Sequence, residues 1–156
     1  MEITSRNLQK KIPIKTRQVE LIVKRLLSLL KIDHAVISII FVSRQKMQAY
    51  NKKYLGRAYL TDVIAFEGDA QMWPAVHPPE KTPLELIGDI VVCPEVAIKQ
   101  SQFFETTLAD EIGLYVVHGI LHLFGYDDHS VQDKKRMREK ETELMTKVKG
   151  RWAKIL

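Results

Sequence analysis

The chain has 156 residues, 46% hydrophobic and 28% charged, which is room for one domain and not for two. Seven Gly and six Pro exclude collagen-like and low-complexity chains, and the apolar content excludes a wholly disordered one. The formal charge of +5 hides a division: residues 1–60 carry 13 Lys or Arg against 3 Asp or Glu, residues 61–130 carry 2 against 12, and residues 131–156 carry 9 against 4. Basic flanks attract a polyanion, and an acidic centre repels it unless a cation sits there. The best membrane candidate, residues 112–126, is only 15 residues long and is broken by two His and by glycines, which suits a buried helix. No apolar segment follows the first charges, so no secretion signal is expected. A lone cysteine, Cys93, has no internal disulfide partner and fits a reducing, cytoplasmic setting.

In chain order, Glu2–Asn7 reads as a short strand. After Pro13, Val19, Ile22, Val23, Leu26, Leu27 and Leu30 recur at helical spacing, with Lys24, Arg25 and Lys31 off that stripe. Residues 35–42 are a β-branched run that reads as a buried strand. Ser43 is placed to cap a helix to about Leu55, with Met47 and Tyr50 on its apolar side. Residues 62–66 form a short strand. Residues 68–83, with Pro74, Pro78, Pro79 and Pro83, read as an exposed loop. Residues 86–93 are another strand, followed by a helix that tolerates Pro94 in its first turn. Thr106 or Thr107 opens a long helix to about Phe124, and Ser130 caps a charged last helix to about Lys149. The imperfect alternation argues α/β or α+β, with one mixed sheet covered by helices.

Residues 118–129, HGILHLFGYDDH, carry the chemistry. On a helix, His118 and His122 lie about 40° apart around the axis and one turn along it, so two imidazoles can reach one cation. Gly125 can end the helix in a left-handed conformation and bring Asp128 or His129 back to the same point. Three ligands with a fourth position open is the arrangement of a catalytic zinc site. The residue after the first His is Gly119, where zinc proteases of the HExxH type place their general base, so a peptidase of that kind is not expected. His34, beside a helix end, and His77, in the proline-rich loop, are not expected as ligands. Phe124 and Tyr126 read as packing.

The same segment resembles the HGxLHLxGYDH signature of the YbeY family, bacterial metal-dependent endoribonucleases of ribosomal RNA maturation. Thr61-Asp62-Val63-Ile64-Ala65-Phe66 is similar to the family's TDVLSFP stretch, and Leu86-Ile87-Gly88-Asp89-Ile90 to its LGDI strand. Arg6-Asn7 and the order of elements also agree, so the likeness covers nearly the whole chain. It implies an α+β fold, one domain over residues 1–156, with a mixed β-sheet covered by helices. It places a metal site at the end of a long central helix, in a metzincin-like ligand arrangement.

The implied activity is that of a zinc-dependent, single-strand-specific endoribonuclease, a hydrolase acting on phosphodiester bonds. The implied task is maturation of the 16S ribosomal RNA 3' end and ribosome quality control, in the cytoplasm. One zinc ion per chain is expected, with no nucleotide cofactor and no membrane. The expected partners are ribosomal RNA and the ribosome, extending to a small-subunit ribosomal protein. His118 and His122 take both metal-binding and catalytic roles.

Two departures from the family pattern matter. The family's third His lies ten residues after the first, and that position here is Asp128, with His129 one further on. Register favours Asp128, an acceptable zinc ligand. Donor softness tips the choice slightly to His129, if the loop absorbs a residue, and leaves Asp128 open. An aspartate would make the site harder and less strict for zinc. The family's RNA-facing Arg, six residues before the TD pair, is Leu55 here, and Arg57 is the candidate to replace its charge. Some acidic side chains of the middle block are expected to orient ligand imidazoles, Asp89 being one open candidate. The alternative function is a ribosome-assembly factor that binds ribosomal RNA or a ribosomal protein and uses the metal mainly as a brace. The absent glutamate and the altered third ligand favour that alternative. A hydrolase of small molecules or peptides is a third reading, and the charge asymmetry weighs against it.

Overall fold

A computed structural model describes residues 1–57, 59–68 and 85–156, Glu85 by its backbone alone. Most of the proline-rich stretch read as an exposed loop, His77 included, lies outside the described residues. Strands β1 (Glu2–Asn7), β2 (His34–Phe41), β3 (Val63–Glu67) and β4 (Glu85–Val92) form one sheet in the order β1-β2-β4-β3. The first three in that row run parallel, and β3 lies antiparallel to β4, with Val63 opposite Val92 and Glu67 opposite Gly88. The sheet is therefore mixed and the fold α+β, as the sequence implies.

Period-two alternation sorts the strand side chains between two cores. Ala35, Ile37, Ile39 and Phe41 of β2 and Leu86, Ile90 and Val92 of β4 enter the main core, with the buried stripe Val19, Ile22, Val23, Leu26 and Leu27 of α1 (Thr16–Leu29). Val42, Ile64, Phe66, Val91 and Cys93 enter a smaller core on the other face, covered by Met47 of α2 (Arg44–Leu55). β2 begins one residue earlier than expected. Val42 lies outside the assigned strand, although its N–H still bonds the Val92 carbonyl at 2.9 Å. Cys93 likewise bonds Asp62 at 2.8 Å while serving as the N-cap of α3 (Pro94–Phe103).

Local hydrogen bonds set the remaining boundaries. The Ser43 hydroxyl accepts from Lys46 N at 3.2 Å, and Gly56 closes α2 at φ 65°. Thr107, rather than Thr106, caps α4 (Leu108–Phe124), accepting from Asp110 N at 3.1 Å. Ser130 caps α5 (Val131–Lys147), accepting from Asp133 N at 3.0 Å. A 3-10 turn at Trp152–Ile155, not foreseen from the sequence, buries Trp152 and Ile155 in the main core and bonds Lys15 N through the Ile155 carbonyl at 2.6 Å.

Close backbone approach positions α4. A Cβ on Gly119 would lie 2.7 Å from Ile90 Cγ2 of β4, so only glycine lets the helix sit this near the sheet. That contact also explains the missing glutamate: position 119 faces β4 and the core, not the His118–His122 face. Alpha-4 thus lies against β3 and β4 with its C-terminal turn at their edge, and α5 packs back along it through Met137 and Leu144. Among the described residues, no helix is long and apolar enough to cross a membrane.

Candidate metal centre

The last turns of α4 carry His118 and His122, whose Nε2 atoms stand 2.9 Å apart with rings inclined at 79°. The helix stops at Gly125, φ 108°, and its reversal is held by Tyr126 N bonding the Leu121 carbonyl at 2.9 Å. Three residues later the chain returns Asp128, with Oδ2 3.7 Å from both imidazole Nε2 atoms. His118, His122 and Asp128 each offer one donor atom, all within 4.8 Å of one another. His129 borders the same open cavity but stays outside this donor group: its side chain is 83% exposed, and its Nε2 lies 3.2 Å from Asp127 Oδ1. Asp127, Asp128 and His129 form a second donor group that shares Asp128 with the first.

Glu141 of α5 reaches His118 from behind, its Oε1 accepting from Nδ1 at 2.5 Å. With the ring proton on Nδ1, a neutral His118 presents the Nε2 lone pair to His122 and Asp128. Burial opposes a charge on His118, but the hydrogen bond and charge of Glu141, helped by Asp62 and Asp128, outweigh it and raise the pKa. His122 moves the other way, lowered by burial and by the neighbouring His118 charge against the pull of Asp128 and Asp127. At this separation a charge on one imidazole opposes a charge on the other, and Glu141 places it on His118. Two nitrogens, one carboxylate oxygen and an imidazole whose far nitrogen is already fixed suit a zinc-type cation in donor chemistry.

An open cavity of about 450 Å³ gives access to these donors. Its walls include His118, His122, Asp128, Asp62 and Thr61, together with Leu55 and Arg57. Arg57 is exposed and donates from Nη1 to the Tyr59 hydroxyl at 3.1 Å. Asp62 accepts from Val63 N at 2.7 Å, which anchors its carboxylate at the start of β3 beside the histidines. Asp89 is buried on β4 opposite Phe66, and His34 is exposed at the start of β2.

Two contributors escaped sequence reasoning. Glu141 lies 23 positions from His118, in the basic last block and not the acidic middle, so neither spacing nor charge pointed to it. Asp62 had a signal, the TD pair, but no role attached to it.

The Endoribonuclease YbeY family model matches residues 4–149. The chain belongs to the YbeY family. It is 33% identical over 152 residues to Endoribonuclease YbeY of Syntrophus aciditrophicus, covering 96% of this chain and 91% of that one. Against the protein of the same name from Alkaliphilus oremlandii it is 34% identical over 155 residues, covering 95% and 97%. The solution structure of TM1509 from Thermotoga maritima superposes with a TM-score of 0.63 at 25% identity, over 97% of this chain and 92% of that one. Membership of the YbeY family thus covers both the sheet and the segment that carries His118, His122 and Asp128.

Proposed function

We propose that this YbeY-family chain acts, as one catalytic unit over residues 1–156, as a zinc-dependent endoribonuclease on single-stranded ribosomal RNA in the cytoplasm. Its substrate is the 3' end of 16S ribosomal RNA during maturation and quality control of the ribosome. The observation that carries this reading is the meeting of His118, His122 and Asp128 at the floor of an open cavity that also holds Arg57. His118 and His122 supply the nitrogen donors and Asp128 the third ligand, in preference to His129, whose ring lies out in solvent against Asp127. A bound zinc ion supplies Lewis acidity and brings the pKa of a coordinated water towards neutrality.

The protein groups do the rest. Glu141 holds the His118 ring in one tautomer and orientation. Arg57 gives a backbone phosphate a charged hydrogen-bonding partner without reading sequence. Asp62, anchored by Val63 N, adds negative charge that keeps the imidazole pair from repelling an incoming cation. The deciding experiment is metal content together with cleavage of single-stranded ribosomal RNA by the wild type and His118→Ala. About one zinc per chain and cleavage that His118→Ala loses while still folded uphold the reading. A second reading, an assembly factor braced by its metal, is favoured by Asp128 standing where the family pattern has a third histidine. It expects bound metal with intact RNA in every sample.

A further inference from the structure

The donors His118 and Asp128 border two separate cavities. One is the Arg57 cavity; the other, of about 250 Å³, is walled otherwise by α5 through Lys134, Met137, Arg138 and Glu141. Lys134, Arg138 and Glu141 follow each other at i, i+4 and i+7, so they share the face of α5 that meets the site. Glu141 spends its charge on His118, and Met137 is buried beneath the turn. Lys134 and Arg138 are exposed and make no ion pair among the described residues, unlike Lys140 and Lys147, which both reach Glu143. Two free cations thus border one of the two cavities that adjoin the donors, and Arg57 borders the other. Of the acids nearby, Asp128 is a donor, Asp62 and Glu67 line the Arg57 cavity, and Asp127 borders both that cavity and a hollow with Asp133 and Arg136, whereas the cavity under α5 has no acid besides Asp128 and Glu141.

We propose that Lys134 and Arg138 form a second phosphate-binding wall, so that a single RNA strand crosses the donor site with its backbone held by Arg57 on one side and by α5 on the other. This rests on the endoribonuclease reading for its ligand. Backbone phosphates are the ligand because mobile cations in an open, shallow cavity hold anions without selecting bases. A strand that occupies both cavities has to pass the donors, because His118 and Asp128 are the lining residues the two cavities share.

The test uses the zinc-loaded protein and a fluorescent single-stranded RNA of about 12 nucleotides. Binding is followed by anisotropy across a salt series in the cold, with strand integrity checked on a gel. Lys134→Ala/Arg138→Ala is expected to lower the slope of log K against log salt by about 1.4, the loss of two single-strand phosphate contacts. Lys149→Ala/Arg151→Ala removes the same charge from the same basic flank, outside both cavities, and is expected to leave the slope within error. Trimming the RNA from one end should erase the effect of the Lys134/Arg138 pair, and trimming from the other end that of Arg57→Ala. Equal slopes in all proteins, equal losses in both double variants, or no binding by the wild type overturn the proposal. Binding with the expected slope change, but no cleavage when the same RNA and zinc-loaded protein are then warmed, sinks the nuclease reading and leaves the second wall standing. Cleavage with unchanged slopes does the reverse.

Discussion

One face of α4 carries Glu111, Tyr115, His118 and His122, at i, i+4, i+7 and i+11, and its two halves behave in opposite ways. At the inner half Glu111 is only 5% exposed, and burial raises its pKa although the Thr106 hydroxyl lies 3.3 Å from its Oε2. Tyr115, one turn on, is pushed up by the same burial and by the charges of Glu111 and Asp62, and among the described residues its hydroxyl makes no hydrogen bond of good geometry. At the outer half Glu141 and Asp128 stand against the histidines, and His118 is driven towards its charged form. Asp62 acts on Glu111, Tyr115 and His118 alike, yet the helix face suppresses charge where it is covered and gathers it on His118, where a second helix and a returning loop bring carboxylates, while His122 beside it is lowered. Partners, and not burial alone, decide which half can hold a cation.

Removing a donor should break the outer half outright. His118→Ala and Asp128→Ala are expected to lose bound zinc and RNA cleavage by at least about a hundredfold, while His129→Ala stays within about twofold; metal analysis and single-turnover cleavage read both. Retained metal in Asp128→Ala with loss in His129→Ala would reverse the assignment of the third ligand. Removing the support without touching a donor gives the next largest effect. Glu141→Ala should weaken zinc affinity about 10- to 100-fold, with Glu141→Gln recovering part of it, in a competition titration against a chelator.

Position 119 tests the helix placement that both halves share. Gly119→Ala puts a methyl against Ile90 and should cost about 1–3 kcal/mol in denaturant unfolding, without altering the donors themselves. The smallest effect sharpens the contrast at the inner half. Because the folded-state pKa of Glu111 is raised, its protonated form stabilises the fold at low pH, and that contribution is lost as pH rises from the unfolded value through the folded one. Glu111→Gln carries no such titration, so its stability relative to wild type should increase with pH while zinc content stays unchanged. A relative stability that is flat across that range would mean Glu111 is not held protonated by its burial.

Much of this was legible in the residues because it depends on short-range geometry. The apolar stripe of α1, the caps Ser43 and Ser130, and the four-residue spacing of His118 and His122 follow from helical periodicity and from hydrogen bonds spanning three or four residues. Strand ends shifted by a residue because pairing across the sheet, and not the β-branched run itself, decides where a ladder stops.

Taken alone, then, the sequence determined a mixed sheet with covering helices, a pair of imidazoles one turn apart, and a turn at Gly125 that returns the chain to them. Only the tertiary structure decided which side chain that turn delivers. Asp128 and His129 are adjacent and chemically both eligible, and the choice depends on how far the loop advances before Ser130 starts α5. It alone brought Glu141 across from a distant helix, and it alone seated Trp152 against Gly113, where a larger side chain would run into the indole. Such contacts arise when separate elements dock. The sequence pattern along any one element carries its own period and caps, and does not encode the position of the element it will meet.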